Sequence, residues 1–233
     1  MRSAKHTPTE EESSLDFHPV FRYLTEEEKE LVNYEKNCNY FLRGEILYHE
    51  GKRMTGFYIV NAGIVKIYKT GINGKEQIIA FAKKGDILGY RSILSDEPAC
   101  TTSKIIENGV LCFLPAHALL DLVKKNNKFS FEIMKLACQE LGEANSYITD
   151  IAQKTVRERL AEVLIMLKNK FGLSEDNTLQ ISLTREELAN IVGTATESVI
   201  RLLSEFKTDG LVDLFGRKIK ILDIKKLTKL GNF

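Results

Sequence analysis

The chain has no apolar run long enough to cross a bilayer, and its opening residues, MRSAKHTPTEEESS, lack the apolar core of a secretory signal. Those absences argue against a membrane-spanning or exported protein, so a cytoplasmic location without membrane association is expected. Four cysteines, Cys38, Cys100, Cys112 and Cys138, form no CxxC and no Cys/His cluster of the kind zinc or iron–sulfur sites require, so buried free thiols are expected. The histidines His6, His18, His49 and His117 are equally dispersed, which argues against a metal or catalytic site built on them. A global basic charge is missing too: 33 Lys+Arg meet 32 Asp+Glu, for a net charge of +1. Residues 154–233 carry 14 Lys+Arg and 11 Asp+Glu, a net +3, which leaves −2 for the remainder. If DNA binds, a local surface formed by Arg185, Arg201, Arg217 and Lys218 must supply the phosphate affinity.

What is present is an ordinary soluble composition, 43% hydrophobic and 28% charged over 233 residues, enough chain for two domains with separate cores. The most informative stretch is Leu183 to Phe206, LTREELANIVGTATESVIRLLSEF. Thr184 and Glu187 are spaced as a capping box, and Leu188, Ile191 and Val192 supply a buried stripe. Ala189 falls where a second helix must approach, and Gly193 where the backbone needs positive φ. Thr194 and Glu197 repeat the box, after which Val199, Leu202, Leu203 and Phe206 recur at helical spacing. The spacing predicts a helix-turn-helix. Its open face holds Thr196, Glu197, Ile200 and Arg201, where arginine suits a guanine edge and glutamate suits cytosine N4. The structural alternative is that Glu197 and Arg201, four apart, form a solvated surface ion pair. Beyond Phe206, Gly210 can end the helix, Leu211 to Leu214 and Lys218 to Leu222 can pair about Gly216, and Arg217, Lys218 and Lys220 put cations at this wing.

Taken in order, residues 1–18 are expected to be a mobile tail, and Thr25 to Val32 a short helix with Thr25 and Glu28 as its capping box. From Asn39 the chain turns to short alternating runs punctuated by Gly44, Gly51, Gly63, Gly74, Gly85 and Gly89, the pattern of an antiparallel roll. Pro115 ends the last strand, and Ala116 to Lys124 reads as a brief helix. A long helix over 129–153 carries Ala137, Leu141, Ala144, Ile148 and Ile151 at alternating intervals of four and three, a coiled-coil interval that predicts a symmetric dimer seam; the alternative is packing on its own domain. A helix from Thr155 to Phe171, the loop LSEDNT and a strand LQISL precede the helix-turn-helix. The expected class is α+β: a roll of jelly-roll (double-stranded β-helix) type over 19–128, a dimerisation helix over 129–153 and a winged helix-turn-helix over 154–233.

The order of these parts resembles the Crp/Fnr family of bacterial transcription regulators. GEILYHEG, FYIVNAGIVKIY and KKGDILG are similar to the glycine framework of its cyclic-nucleotide-binding-type domain, and LTREELANIVGTATESVIRLLSEFKTDGLV to its helix-turn-helix. The resemblance implies a homodimer on a palindromic operator in double-stranded DNA, with RNA polymerase as a further partner if the protein activates. It implies base reading by Glu197 and Arg201, with Thr196 standing where cyclic-AMP-receptor-like members have arginine, a feature similar to the Fnr branch. Arg185, Thr194, Ser198, Arg217 and Lys218 are the expected phosphate contacts. The corresponding effector pocket comprises Gly89, Tyr90, Arg91, Ser92, Cys100, Thr101, Ala144 and Asn145, and lacks the glutamate and arginine with which cyclic-AMP-binding members hold ribose and phosphate. Cyclic AMP is therefore not the expected effector. Arg91 is a cation that could take another anion or sit in a structural ion pair. The first 37 residues contain no cysteine, which disfavours the iron–sulfur cluster of oxygen-sensing members. A haem sensor ligated by His49, His117 or a cysteine is one alternative; a cupin-like metal-dependent enzyme and a docking module without DNA contact are others. The leading expectation is a non-enzymatic transcription regulator with an unidentified effector.

Overall fold

The computed structural model describes Thr9 and residues 19–231. The expected tail over 1–18 lies outside the described residues, Thr9 apart. The chain forms two compact units: one takes the described residues up to Thr70 with Ile78–Leu141, the other Gly71–Gln77 with Gly142 onward. No helix among the described residues is long and apolar enough to cross a membrane.

The first unit opens with a 3-10 turn, Pro19–Tyr23, and α1 (Glu26–Glu35). Thr25 Oγ1 accepts from Glu28 N at 3.2 Å while Glu28 Oε2 accepts from Thr25 N at 2.8 Å, which is the capping box the spacing predicts. Eight strands follow: β1 (Asn37–Phe41), β2 (Ile46–Tyr48), β3 (Gly56–Val60), β4 (Ile64–Thr70), β5 (Glu76–Ala82), β6 (Ile87–Leu88), β7 (Thr102–Glu107) and β8 (Gly109–Pro115). They make two four-stranded sheets, β1-β8-β3-β6 and β2-β7-β4-β5, with antiparallel pairings. Val60, Leu88 and Leu111 from one sheet meet Val65, Ala82 and Ile105 from the other in a shared core. This is the expected roll. Gly109 is needed where two hairpins touch, because a Cβ there would lie 2.0 Å from the Ala62 carbonyl oxygen.

Between β6 and β7 runs α2 (Tyr90–Ser95), which is not among the expected elements; α3 (Ala116–Lys125) and α4 (Asn127–Gln153) follow β8. A second core cluster gathers Phe21 and Val32 beside Phe57, Tyr90, Leu119, Phe129 and Ile133, so that α1, α2, α3 and the start of α4 share one apolar floor. The cysteine expectation is corrected here. Cys38 and Cys112 form a disulfide, and the two free thiols, Cys100 and Cys138, are exposed. The reason is register: β1 and β8 pair so that Cys38 lies directly opposite Cys112, a neighbourhood that a separation of 74 residues conceals.

The second unit begins its own core at α5 (Val156–Phe171), capped by Thr155 with Glu158. It continues through α6 (Arg185–Val192), α7 (Thr196–Thr208), β9 (Val212–Phe215), β10 (Lys218–Ile221) and α8 (Ile224–Leu230). The strand expected at LQISL is not formed. Leu179, Ile181 and Leu183 are buried as the alternation predicts, but the segment has only isolated bridges, Leu173 to Leu179 and Thr178 to Lys220. Ser174 and Asp176 turn the loop back on itself through side-chain bonds, leaving no long ladder partner. The short α8 was also unforeseen; Asp223 caps it by accepting from Lys226 N, and Leu227 is fully buried.

Candidate nucleic-acid interface

Thr184 and Glu187 close both halves of the α6 capping box, at 3.0 and 2.8 Å. Leu188, Ala189, Ile191 and Val192 are buried, Ala189 completely, which lets α7 cross closely. Gly193 ends α6 at φ 72°, in the left-handed region where a Cβ is disfavoured. Three groups hold this corner. Thr194 N donates to Ala189 O at 3.1 Å, Arg159 Nε on α5 to Val192 O at 2.9 Å, and the Tyr147 hydroxyl to Ile191 O at 3.1 Å. A guanidinium at a helix C-terminus satisfies carbonyls that the helix leaves open and suits its negative end. Burial raises the Tyr147 phenol, so it stays a donor. The second expected capping box, Thr194 with Glu197, is not made: Ala195 is the N-cap and no side chain bonds there. Thr194 is folded back on α6, so α7 starts one residue later than its hydroxyl could cap.

On α7, Val199, Leu202, Leu203 and Phe206 face the core. Glu197, Ile200 and Arg201 are exposed, with Thr196 and Ser198 half-buried beside them. The alternative raised by the spacing, a Glu197–Arg201 ion pair, is not formed. Arg201 Nη1 instead bonds Glu205 Oε1 at 2.7 Å, one turn onward; Glu205 Oε2 accepts from Arg157 Nη1 at 2.8 Å, and Arg157 Nη2 reaches Asp209 at 2.6 Å. Arg157 also lies 4.9 Å over the Phe206 ring. Both candidate acids are four residues from Arg201, but only Glu205 also meets Arg157, so the carboxylate shared by two cations wins and Glu197 is left facing solvent.

The wing is the β9–β10 hairpin, with Val212 opposite Ile221 and Phe215 opposite Lys218. Arg217 and Lys218 are exposed at its turn, as is Phe215 at 60%. Arg185 is placed differently from a free phosphate contact. It is partly buried, its Nη2 donates to Gly216 O at 2.8 Å, and desolvation lowers its pKa. It therefore ties the wing turn to the start of α6. Lys207 does the same at the other end of α7: its ammonium bonds Asp213 at 2.7 Å and holds that carboxyl below its usual range.

Two family matches fall on these two units: residues 38–126 match the cyclic nucleotide-binding domain, and residues 158–230 the Crp-like helix-turn-helix domain. The chain belongs to the Crp/Fnr family. Similar proteins include the fumarate and nitrate reduction regulatory protein of Vibrio cholerae, 29% identical over 192 residues, covering 81% of this chain and 76% of that one. The CRP-like cAMP-activated global transcriptional regulator of Mycobacterium tuberculosis is 27% identical over 191 residues, covering 81% and 85%. In fold, the chain is similar to FixK2 from Bradyrhizobium japonicum, with a TM-score of 0.76 at 22% identity over 84% of this chain and 96% of that one. This Crp/Fnr chain is thus a transcription regulator and not an enzyme, which removes the cupin-like reading; DNA is the partner its fold implies.

Around the residues expected to form an effector pocket, Glu140 of α4 is the organising side chain. Gly89 turns into α2 at φ 84°, Tyr90 is buried and Arg91 points outward with Ser92 partly covered. Glu140 of α4 comes within 3.9 Å of Arg91 Nη1. Burial first, then the Glu140 charge, push the Tyr90 phenol far up. Burial likewise raises Tyr48 against hydrogen bonds from Ser103 and Thr101, with Cys100 and Glu140 adding to the rise. Tyr48, Tyr90, Arg91, Cys100, Thr101 and Glu140 are thereby brought into one neighbourhood, and Arg91 has its structural ion pair. Ala144 and Asn145 lie exposed on α4 in the second unit. On the same helix Ala137 is half-buried, while Leu141 at 62%, Ile148 at 65%, Ile151 at 42% and Ala144 are exposed. Among the described residues no group of three His, Cys, Asp or Glu could hold a metal; His117 pairs with Glu35 at 2.9 Å and His49 is exposed. Of the residues sequence reasoning missed, only Glu205 had a signal, its four-residue spacing from Arg201. Glu140, Tyr147, Arg157 and Arg159 act across elements that no local spacing connects.

Proposed function

We propose that this regulator is a cytoplasmic homodimer that reads a palindromic operator, with Glu197 and Arg201 on base edges and Thr196 beside them. Thr194, Ser198, Arg217 and Lys218 contact phosphates, and Arg185 positions the wing. The observation that carries the reading is the face of α7: its apolar residues are all buried except Ile200, and the polar face opposite them is exposed next to a cationic wing turn. Phosphate contacts set register and base contacts set sequence, so the two residue groups have separable effects. Arg201→Ala should lose about 1 to 3 kcal/mol of discrimination at one base pair. Arg217→Ala should weaken all duplexes alike and lower the salt slope by about one unit. Selection from random duplexes is the measurement. Recovery of one and the same palindrome by wild type and Arg201→Ala would remove Arg201 from base recognition.

Cyclic AMP is not the effector in this reading. A cyclic phosphate held at α2 would meet a buried phenol at Tyr90 and an Arg91 already facing the Glu140 carboxylate. Displacing that pair offsets the gain of a charge-assisted bond. Calorimetry with cyclic AMP should register no tight binding, and a submicromolar constant would overturn the exclusion.

A further inference from the structure

The disulfide between Cys38 and Cys112 is placed where it can open and close without altering the fold. β1 is an edge strand whose one neighbour in the sheet is β8, and the flanking pairs, Asn37 opposite Phe113 and Asn39 opposite Leu111, hold the register whether or not the sulfurs are joined. Residues directly opposite in an antiparallel pair project to the same face, so reduced thiols stay within reach of each other. Access is unequal. Cys38 is partly exposed on the edge strand, whereas Cys112 is fully buried. In the reducing compartment where DNA is read, a disulfide is ordinarily transient and redox-sensing rather than a structural staple.

We propose that Cys38 and Cys112 are a reversible redox-modification site, oxidised by hydroperoxides and reduced by dithiols, whose state is an input to this regulator. In oxidation, the accessible Cys38 thiolate attacks the outer oxygen of a hydroperoxide. An S–O bond forms and the O–O bond breaks; the released oxygen leaves as an alcohol or water after taking a proton, and Cys38 becomes a sulfenic acid. The Cys112 sulfur then attacks that sulfenic sulfur, forming the S–S bond and expelling water with the thiol proton. In reduction, one thiolate of a dithiol attacks Cys38 and releases the Cys112 thiolate, which takes a proton. The second thiol resolves the mixed disulfide, so that two electrons and two protons pass to the pair and the reductant leaves as its own disulfide. The state reaches the rest of the unit through packing. Cys112 belongs to the same apolar cluster as Tyr90 of α2 and Phe129 and Ile133 of α4, and Cys38 packs against that cluster. Joining or separating two sulfurs in a close-packed cluster shifts its neighbours. The regulatory consequence and the expectation of a reducing compartment rest on the DNA-binding reading; the thiol chemistry is measured independently of it.

The full chain carrying Cys100→Ser and Cys138→Ser, which removes the two exposed thiols, is treated while folded with hydrogen peroxide or dithiothreitol, then quenched in denaturant with N-ethylmaleimide and weighed. Dithiothreitol should leave both remaining cysteines alkylated, and peroxide neither, reversibly over repeated cycles. Adding Cys112→Ser should leave Cys38 as a sulfenic acid that dimedone labels, while adding Cys38→Ser should leave Cys112 unlabelled. A bond that resists dithiothreitol until the chain is unfolded, or a pair that peroxide leaves alkylatable, would overturn the site. Duplex affinity measured on the same two preparations should differ by at least about fivefold, the lower end of usual coupling between sites. Equal affinity would overturn the regulatory role. Loss of duplex binding in both states would count against the DNA-binding reading instead, with the thiol count still deciding the site.

Discussion

Arg201 has one candidate partner on each side along α7, and the choice it makes bears on how the free protein waits for DNA. Its guanidinium lies on Glu205, which Arg157 also holds, so a negative charge sits beside the residue proposed to enter the major groove. Exposed ion pairs of this kind contribute little, about 0.3 to 0.5 kcal/mol between residues four apart on a helix, so the pair is a holding position that a guanine edge can displace. Glu205→Gln should accordingly leave the melting transition nearly unchanged and raise affinity for every duplex by a similar factor, since one charge facing the phosphates is gone. Base preference should persist. Fluorescence anisotropy with matched and mismatched duplexes across a salt series would check this, and a loss of preference would mean that Glu205 is required to aim Arg201. Residue identities on this face were readable from the sequence; their pairing was not, because Arg157 lies 48 residues from Glu205 and no periodicity links them.

At the scale of elements, the parts that local chemistry specifies were legible and the parts that depend on distant neighbours were not. The expected capping boxes at Thr25 and Thr184 mark two helix starts, whereas the third, at Thr194, fails because its residue belongs to the corner before α7. The alternation in LQISL is a true signal of burial, yet burial without a partner strand makes no sheet. The disulfide and α2 depend wholly on how β8 and β6 are placed. Gly193 lies at the legible extreme: the turn demands its left-handed φ of 72°, and an added Cβ would sit 3.2 Å from Ile151 Cδ1. Gly193→Ala should cost roughly 1 to 2 kcal/mol for the backbone conformation, with crowding of Ile151 in addition. Urea unfolding would measure the loss. Because α6 and α7 would be reseated at the corner, base preference should weaken more than affinity for nonspecific DNA; an alanine variant with unchanged stability would show that the corner relaxes without strain.

On the scale of the whole molecule, a regular row of exposed apolar residues runs along α4. Met134 at 59%, Leu141 at 62% and Ile148 at 65% recur every seven residues on α4, and Ala137, Ala144 and Ile151 follow each by three. The row expected from the sequence starts at Ala137, and the exposure of Met134 extends it by three residues. Leaving such a row in water is unfavourable, at roughly 25 cal/mol for each Å² of apolar surface, and a seven-residue repeat is the period at which two helices bury each other's seam. A second copy of α4 about a two-fold axis satisfies both conditions, because an isologous contact places the same row on each side. Leu141→Glu together with Ile148→Glu tests this without endangering the single chain, since both side chains are exposed in it and carboxylates there remain hydrated. In a paired seam the same carboxylates would be desolvated against apolar neighbours and their own symmetry mates. Sedimentation should therefore convert the double variant to monomers while its melting transition persists. Duplex affinity should fall sharply, because two half-sites about one helical turn apart need two joined winged domains. A variant that still sediments as a dimer would move the interface off α4, and a wild-type chain that sediments as a monomer would remove the joined half-sites on which the palindromic operator depends.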